Sequence, residues 1–201
     1  MVLYYIIRAI TTPIVRLLFP FKSINKEDAC KGACVIVSNH LSNCDSFIVG
    51  MQYKGKNYVL GKKESFSPKI VGWFLKTVGG IPIDRDNPSP ATLLQCVKLL
   101  KSGERLLIFP EGTRNKTDQP LLPLKGGAAL FAIKSKVPVQ TVFIQGKSRL
   151  FRRNYVKVGK PFELSEFYGQ KLTAEALQKA DDIIKEKLLE TAKIPVKKEK
   201  A

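Results

Sequence analysis

Short apolar runs alternating with helix-forming stretches predict an α/β class fold: a single domain with a largely parallel central sheet flanked by helices, preceded by a short amphipathic helical N-terminal segment. Three observations carry this. The runs Ala33 to Val37, Asn57 to Gly61, Ile81 to Ile83, Arg105 to Phe109 and Val139 to Ile144 are short, apolar and bounded by turn formers, as buried strands are. Helical spacing fills the intervals between several of them. Polar clusters follow three of the runs, at the carboxyl ends of strands, where open α/β sheets gather their ligands.

From the N-terminus, Met1 to Phe21 is apolar but interrupted by Arg8, Pro13, Arg16 and Pro20, a poor match to the roughly 20 mostly apolar residues of a membrane span. Ile6, Ile7, Ile10, Ile14, Leu17 and Leu18 fall at helical spacings, and Thr12-Pro13 reads as the cap and first residue of a second short helix. Two such turns either lie on a membrane, isoleucines inward and arginines on lipid phosphates, or pack on the domain's own core. A cleaved signal peptide is not expected, for want of a basic start and a small-residue cleavage site. After the first strand, Ser42 or Asn43 can cap a helix through Phe47, Ile48 and Met51, with Asp45 in its first turn. Helices are also expected over Pro68 to Val78, with Ile70, Val71, Phe74 and Leu75 on one face, over Ser89-Pro90 to Ser102, ended by Gly103, and over Gly127 to Lys136. The domain partition is 1–22 as a membrane-associating segment, 23–194 as the folded domain and 195–201 as a basic flexible tail.

Lys and Arg number 34 against 17 Asp and Glu, a formal charge of +17 that calls for an anionic partner: a phospholipid surface, nucleic acid or a phosphorylated small molecule. Cysteines 30, 34, 44 and 96 form no Cys-x-x-Cys pair and fit a reducing cytoplasm rather than a disulfide framework. Cys30, Cys34, His40 and Cys44 are loosely spaced like a zinc knuckle, but Cys34 lies in an apolar run, so no metal site is expected.

The single histidine, His40, sits in the loop that leaves the first strand. With Asp45 four residues beyond Leu41 it forms a base with an orienter: an imidazole takes a proton near neutral pH, and a carboxylate on its other nitrogen fixes the tautomer. A merely solvated capping loop is the competing reading of the pair. The other strand-end clusters are Asp84-Arg85-Asp86-Asn87 and Pro110-Glu111-Gly112-Thr113-Arg114. Arg85 and Arg114 offer planar forks for a phosphate, and Gly112 allows close backbone approach. Convergence of three clusters, one holding the only histidine, favours a site over three solvated turns.

These residues resemble the membrane-associated glycerophospholipid acyltransferases, most closely the 1-acyl-sn-glycerol-3-phosphate acyltransferases. Asn39-His40-x4-Asp45 looks like the family's first motif and Gly80-Ile81-Pro82-Ile83-Asp84-Arg85 like its second. Phe109-Pro110-Glu111-Gly112-Thr113-Arg114 matches the third, and Val137 to Ile144 stands in the place of the fourth. The resemblance implies His40 and Asp45 as catalytic residues and Lys63, Arg85, Glu111, Gly112, Thr113 and Arg114 as substrate-binding residues. Thr141 departs from the family's usual proline, and Asn115 from a frequent serine.

Together these features point to an acyltransferase at the cytoplasmic face of the cell membrane, peripheral or monotopic. It would take lysophosphatidic acid as acceptor and an acyl-CoA or acyl carrier protein thioester as co-substrate, with no cofactor and no nucleic acid. Glycerol 3-phosphate or a lysophospholipid is the alternative acceptor. A nucleic-acid module using Lys147, Arg149, Arg152, Arg153 and Lys157 is the reading from another class. Cys44 as an acyl-carrying nucleophile ranks below direct transfer, being placed for packing.

Overall fold

The structure, a computed structural model, describes residues 2–85, 87–146 and 150–196. Strands β1 (Phe21–Ile24), β2 (Cys34–Ser38), β3 (Asn57–Lys62), β4 (Gly80–Ile83), β5 (Arg105–Ile108), β6 (Val139–Gln145) and β7 (Asn154–Val158) form one sheet in the order β1-β7-β6-β2-β5-β3-β4. Every neighbouring pair is parallel except β6 with β7. Helices α1 (Val2–Leu18), α2 (Asp45–Gly50), α3 (Lys69–Thr77), α4 (Pro90–Lys101), α5 (Ala128–Ser135) and α6 (Ala174–Lys193) cover it.

Side chains of a strand alternate between faces, so β2 feeds two cores. Val35 and Val37 join Leu106 and Ile108 of β5 under α4, α5 and α6, where Leu100, Phe131, Ile184 and Leu188 close the cluster. Cys34 and Ile36 join Leu107 and Phe109 on the opposite face, under Ile48 and Val49 of α2 and Val15 of α1. The central strands are buried on both sides, which is why their sequences are continuously apolar.

The five expected strands and the α/β class are present, and α4 opens as expected, with Ser89 Oγ accepting from Thr92 N at 3.2 Å. Three elements were not anticipated: β1, β7 and α6. The first two lie at one edge, where Phe21 pairs with Asn154, and α6 runs across β6 with Thr173 as its N-cap.

The N-terminal segment corrects the sequence reading. Instead of two short helices, α1 runs unbroken through Pro13. An internal proline costs a helix about 3 kcal/mol, but here both halves are held by the domain: Tyr4 is buried and donates to Gly55 O at 3.2 Å, and Val15 and Phe19 pack on the core. Arg8 does not turn outward to lipid; its guanidinium donates to the carbonyls of Gly55 and, at 2.7 Å, Tyr53. The isoleucine face does stay exposed, with Ile6, Ile10 and Ile14 each at least half accessible. Because β1 begins at Phe21, a boundary at residue 22 cuts a strand. Of the expected tail, residues 197–201 lie outside the described residues. No helix among the described residues is long and apolar enough to cross a membrane.

Candidate active site

His40 is held by its backbone before its ring is considered. As the chain leaves β2, the buried Asn39 amide clasps β6: Nδ2 donates to Ile144 O at 2.9 Å and Oδ1 accepts from Ile144 N at 2.8 Å. One residue on, His40 N donates to Glu111 Oε1 at 2.8 Å and His40 O accepts from Asn115 N at 2.7 Å. The loop after β5 therefore grips the histidine from both ends of its peptide. Its imidazole stacks on Phe109 with ring centroids 4.2 Å apart, leaving the side chain 16% exposed.

Asp45 turns back from the first turn of α2, as the spacing suggests. Its buried carboxylate accepts from Leu41 N at 2.5 Å, Ser42 N at 2.7 Å and Ser42 Oγ at 2.7 Å, and its Oδ2 lies 2.9 Å from His40 Nδ1. An ionised carboxylate only accepts, so Nδ1 carries the imidazole proton and Nε2 keeps a free lone pair. Neither Ser42 nor Asn43 is the N-cap; that place belongs to Cys44, without a side-chain capping bond. Burial, and secondarily the Asp45 charge, push the Cys44 thiol up, which suits packing rather than a nucleophilic thiolate.

A cavity of about 630 Å³ opens beside His40. Its lining includes His40, Arg85, Gly112, Thr113, Arg114 and Lys125. Apolar side chains from three helices and β3 share the lining, among them Ile7, Phe47, Val59, Phe66 and Leu75, together with further polar groups such as Arg8, Asn57 and Lys62. Arg85 reaches from the end of β4 and donates to the Gly112 carbonyl, which ties the second polar cluster to the third. Gly112 has φ 66°, a left-handed conformation that favours glycine, and a Cβ there would come within 2.8 Å of Lys125 Cδ, so a side chain would strain the turn and displace this lysine from its place.

Two expected substrate-binding residues stand elsewhere. Glu111 is 1% exposed and does not line the cavity; its carboxylate accepts from His40 N and, at 2.8 Å, from Leu122 N, which makes it a positioning residue. Burial raises its carboxyl above the usual range, against the pull of those two bonds. Lys63 is exposed on the short helical turn Lys63–Phe66 and is not part of the wall, which takes its neighbour Lys62, the last residue of β3, instead.

Lys125 is the residue the sequence reading missed. Its backbone N donates to Pro110 O at 2.8 Å, folding the segment before α5 against the loop after β5. A lysine just ahead of the Gly126-Gly127 pair that opens α5 is the only local signal. The departures have structural explanations: Thr141 Oγ1 bonds Thr191 Oγ1 of α6 at 2.7 Å, remote from the cavity wall. Asn115 Oδ1 accepts from Thr117 N at 2.9 Å, fixing the turn that holds His40 O. Of the nucleic-acid footprint, Lys157 is 4% exposed and donates to Ala192 O at 2.5 Å, so it is unavailable to a phosphate backbone. Lys147, Arg149 and Asp86 lie outside the described residues.

Comparison with known proteins agrees with this arrangement. The chain is 35% identical over 153 residues to the 1-acyl-sn-glycerol-3-phosphate acyltransferase of Bacillus subtilis, a match covering 73% of this chain and 75% of that protein. It is 31% identical over 151 residues to the enzyme of the same name from Streptococcus pneumoniae, covering 72% of this chain and 54% of the relative. The crystal structure of the 1-acyl-sn-glycerophosphate acyltransferase from Thermotoga maritima shares the fold, with a TM-score of 0.65 at 21% identity over 92% of this chain and 77% of that one. The family model Acyltransferase matches residues 20–145, which hold β1 to β6, the His40–Asp45 pair, Arg85 and Arg114, and on that match the chain belongs to the acyltransferase family.

Proposed function

We propose that this acyltransferase moves a fatty acyl group from an acyl thioester to the free hydroxyl of 1-acyl-sn-glycerol 3-phosphate, giving phosphatidic acid. The observation that carries it is the lining of the cavity: His40 shares the wall with the cations Arg85, Arg114 and Lys125 and with the apolar groups of Ile7, Phe47, Val59, Phe66 and Leu75. A lysophosphatidic acid has the matching set of groups, a phosphate, one free hydroxyl and a hydrocarbon tail. The names of the bacterial relatives support the same acceptor.

In this mechanism the acceptor oxygen attacks the thioester carbonyl while His40 Nε2 takes the hydroxyl proton. Asp45 stabilises the imidazolium that forms, and the proton leaves with the thiolate as the tetrahedral adduct collapses. A positioned base of this kind contributes about 10²–10⁴ in rate. Arg114 and Lys125 hold the phosphate, with Arg85 bracing the Gly112 carbonyl and offering its remaining N–H groups. Thr113 lines the cavity with them. The exchange of oxygen for sulfur on an acyl carbon is redox-neutral and balances with the one proton His40 carries, so no cofactor or metal is assigned. The thioester is acyl-CoA or acyl carrier protein. The isoleucine face of α1 rests on the bilayer at the cytoplasmic face as a peripheral or monotopic contact, and there the acceptor is already concentrated.

The test is acyl transfer by purified protein across lysophosphatidic acid, glycerol 3-phosphate and a lysophospholipid without a free phosphate, with both donor types. Preference for glycerol 3-phosphate or for the phosphate-free acceptor overturns the assignment.

A further inference from the structure

We propose that α3 is a second lipid-contacting element, its Ile70–Trp73 face lying in the headgroup region of an anionic bilayer on the far side of the cavity from α1. This rests on the reading that the acceptor is a membrane lipid.

The first observation is which way α3 turns. Ile70 is 83% exposed and Trp73, three residues on and so on the same face, is 57% exposed, while Leu75 and Val78 line the cavity. The exposure is built in. Only Gly72 of the helix is buried, and a Cβ there would come within 2.2 Å of Phe66 O, so α3 is pressed against the preceding turn in one orientation. Inward, Phe74 meets the Phe47 ring of α2 at 6.4 Å. One helix thus shows apolar groups to the cavity and, separately, to the outside.

The second observation is continuity. Helix α1 repeats the arrangement: Ile7 and Thr11 line the same cavity while Ile6, Ile10 and Ile14 are exposed. Two helices bounding one cavity each carry an outward apolar face, which suits a bilayer that meets both and lets a lipid tail pass between them. Chemistry selects the occupant. Lys69 stands one turn before Trp73 and Lys76 one turn after it, with no acidic residue in α3, so cations flank Ile70 and Trp73 along the helix. Cations round an indole favour an anionic headgroup layer, where tryptophan sits with its ring in the apolar region and its N–H in the wet one. A second copy is disfavoured by the same cations, because a two-fold contact would set these lysines against themselves.

Trp73 is the only tryptophan, so its emission reports this face directly. The intact protein is titrated with vesicles of mixed phosphatidylglycerol and phosphatidylcholine, and transfer to lysophosphatidic acid is measured in parallel. A blue shift of Trp73 emission and protection from iodide are expected, weaker with phosphatidylcholine alone. Ile70→Asp should weaken vesicle partition by about tenfold, given the apolar surface it removes, whereas Leu94→Asp, at another exposed apolar residue on α4 beneath the other face of the sheet, should not. Vesicle sedimentation with unchanged Trp73 emission means α1 binds alone and overturns the role of α3. A shift that depends on protein concentration without lipid assigns the face to a second copy and overturns it too. Failure of transfer to lysophosphatidic acid, whatever Trp73 does, overturns the functional reading instead.

Discussion

The two faces of the sheet are built to different ends. Under α4, α5 and α6 the apolar groups close on one another, and residues such as Ala132, Ile184 and Leu188 are essentially inaccessible. Under α1, α2 and α3 a smaller cluster covers β2 and β6, then gives way to the cavity along β3. Both faces are fed by the same strands, so the difference comes from the helices: the long α6 seals one side, while the short α2 and α3 leave a gap on the other. Stability is concentrated where packing is complete, and the reactive group stands where it is not.

The comparison breaks if a change on one face has the other's effect. His40→Ala carries the largest expected consequence: kcat should fall by about 10²–10⁴, with the melting temperature changed little, since the ring lies on a loop at the margin of the core, touching it through Phe109. Retention of a tenth of wild-type kcat would sink the base assignment. On the sealed face, Leu188→Ala should cost about 2–5 kcal/mol of unfolding free energy, read by denaturant titration, while kcat of the folded fraction stays within about twofold, the side chain being remote from the cavity. A large drop in kcat at constant stability would mean the two faces are not independent.

A sharper contrast lies within the open face. Arg114→Ala and Lys125→Ala should each raise the KM for acceptor by about tenfold, one charge-assisted bond's worth, and spare the KM for donor; Arg114→Lys should restore only part, lacking the planar fork. An effect confined to the donor would move both cations to the coenzyme's phosphates.

The smallest expected effect compares two buried carboxyls, Glu111 behind the open face and Asp181 behind the sealed one, where Oδ1 accepts from Ala129 N at 3.2 Å. Burial raises both above their ordinary values. A raised carboxyl binds its proton more tightly in the folded than in the unfolded chain, so its contribution to stability is greatest below the unfolded value and is lost as pH rises through the folded one. Glu111→Gln should therefore flatten the decline of melting temperature between acid and neutral pH by part, leaving the share of Asp181. It should also lower kcat, because an amide cannot accept from His40 N and Leu122 N through both of its ends. An unchanged pH profile would remove Glu111 from the titrating groups.

Local patterns were legible in the sequence because they are solved locally. Val35 and Val37 against Cys34 and Ile36 alternate by strand geometry alone, and the central strands read as buried runs whatever lies above them. His40 and Asp45 lie on one loop and one helical turn, so the distance between them is set by a few backbone torsions, and their spacing was enough to pair them. Ser89-Pro90 and Gly103 mark the ends of α4 by the same logic. Contacts between distant parts of the chain are different in kind. Whether Pro13 ends a helix depended on Tyr4, Arg8 and Val15 finding partners beyond α1; whether Lys62 or Lys63 lines the cavity depended on where β3 ends and the turn Lys63–Phe66 begins. Glu111 and Lys125 both flank the loop after β5, and only its fold against the His40 loop and the start of α5 turned the acid inward and the lysine toward the cavity. The edge pair β1 and β7 is short and carries polar residues among its apolar ones, so although Val156 and Val158 are buried it does not stand out as an apolar run, and its pairing follows from the β6 hairpin and the end of α1 meeting in space.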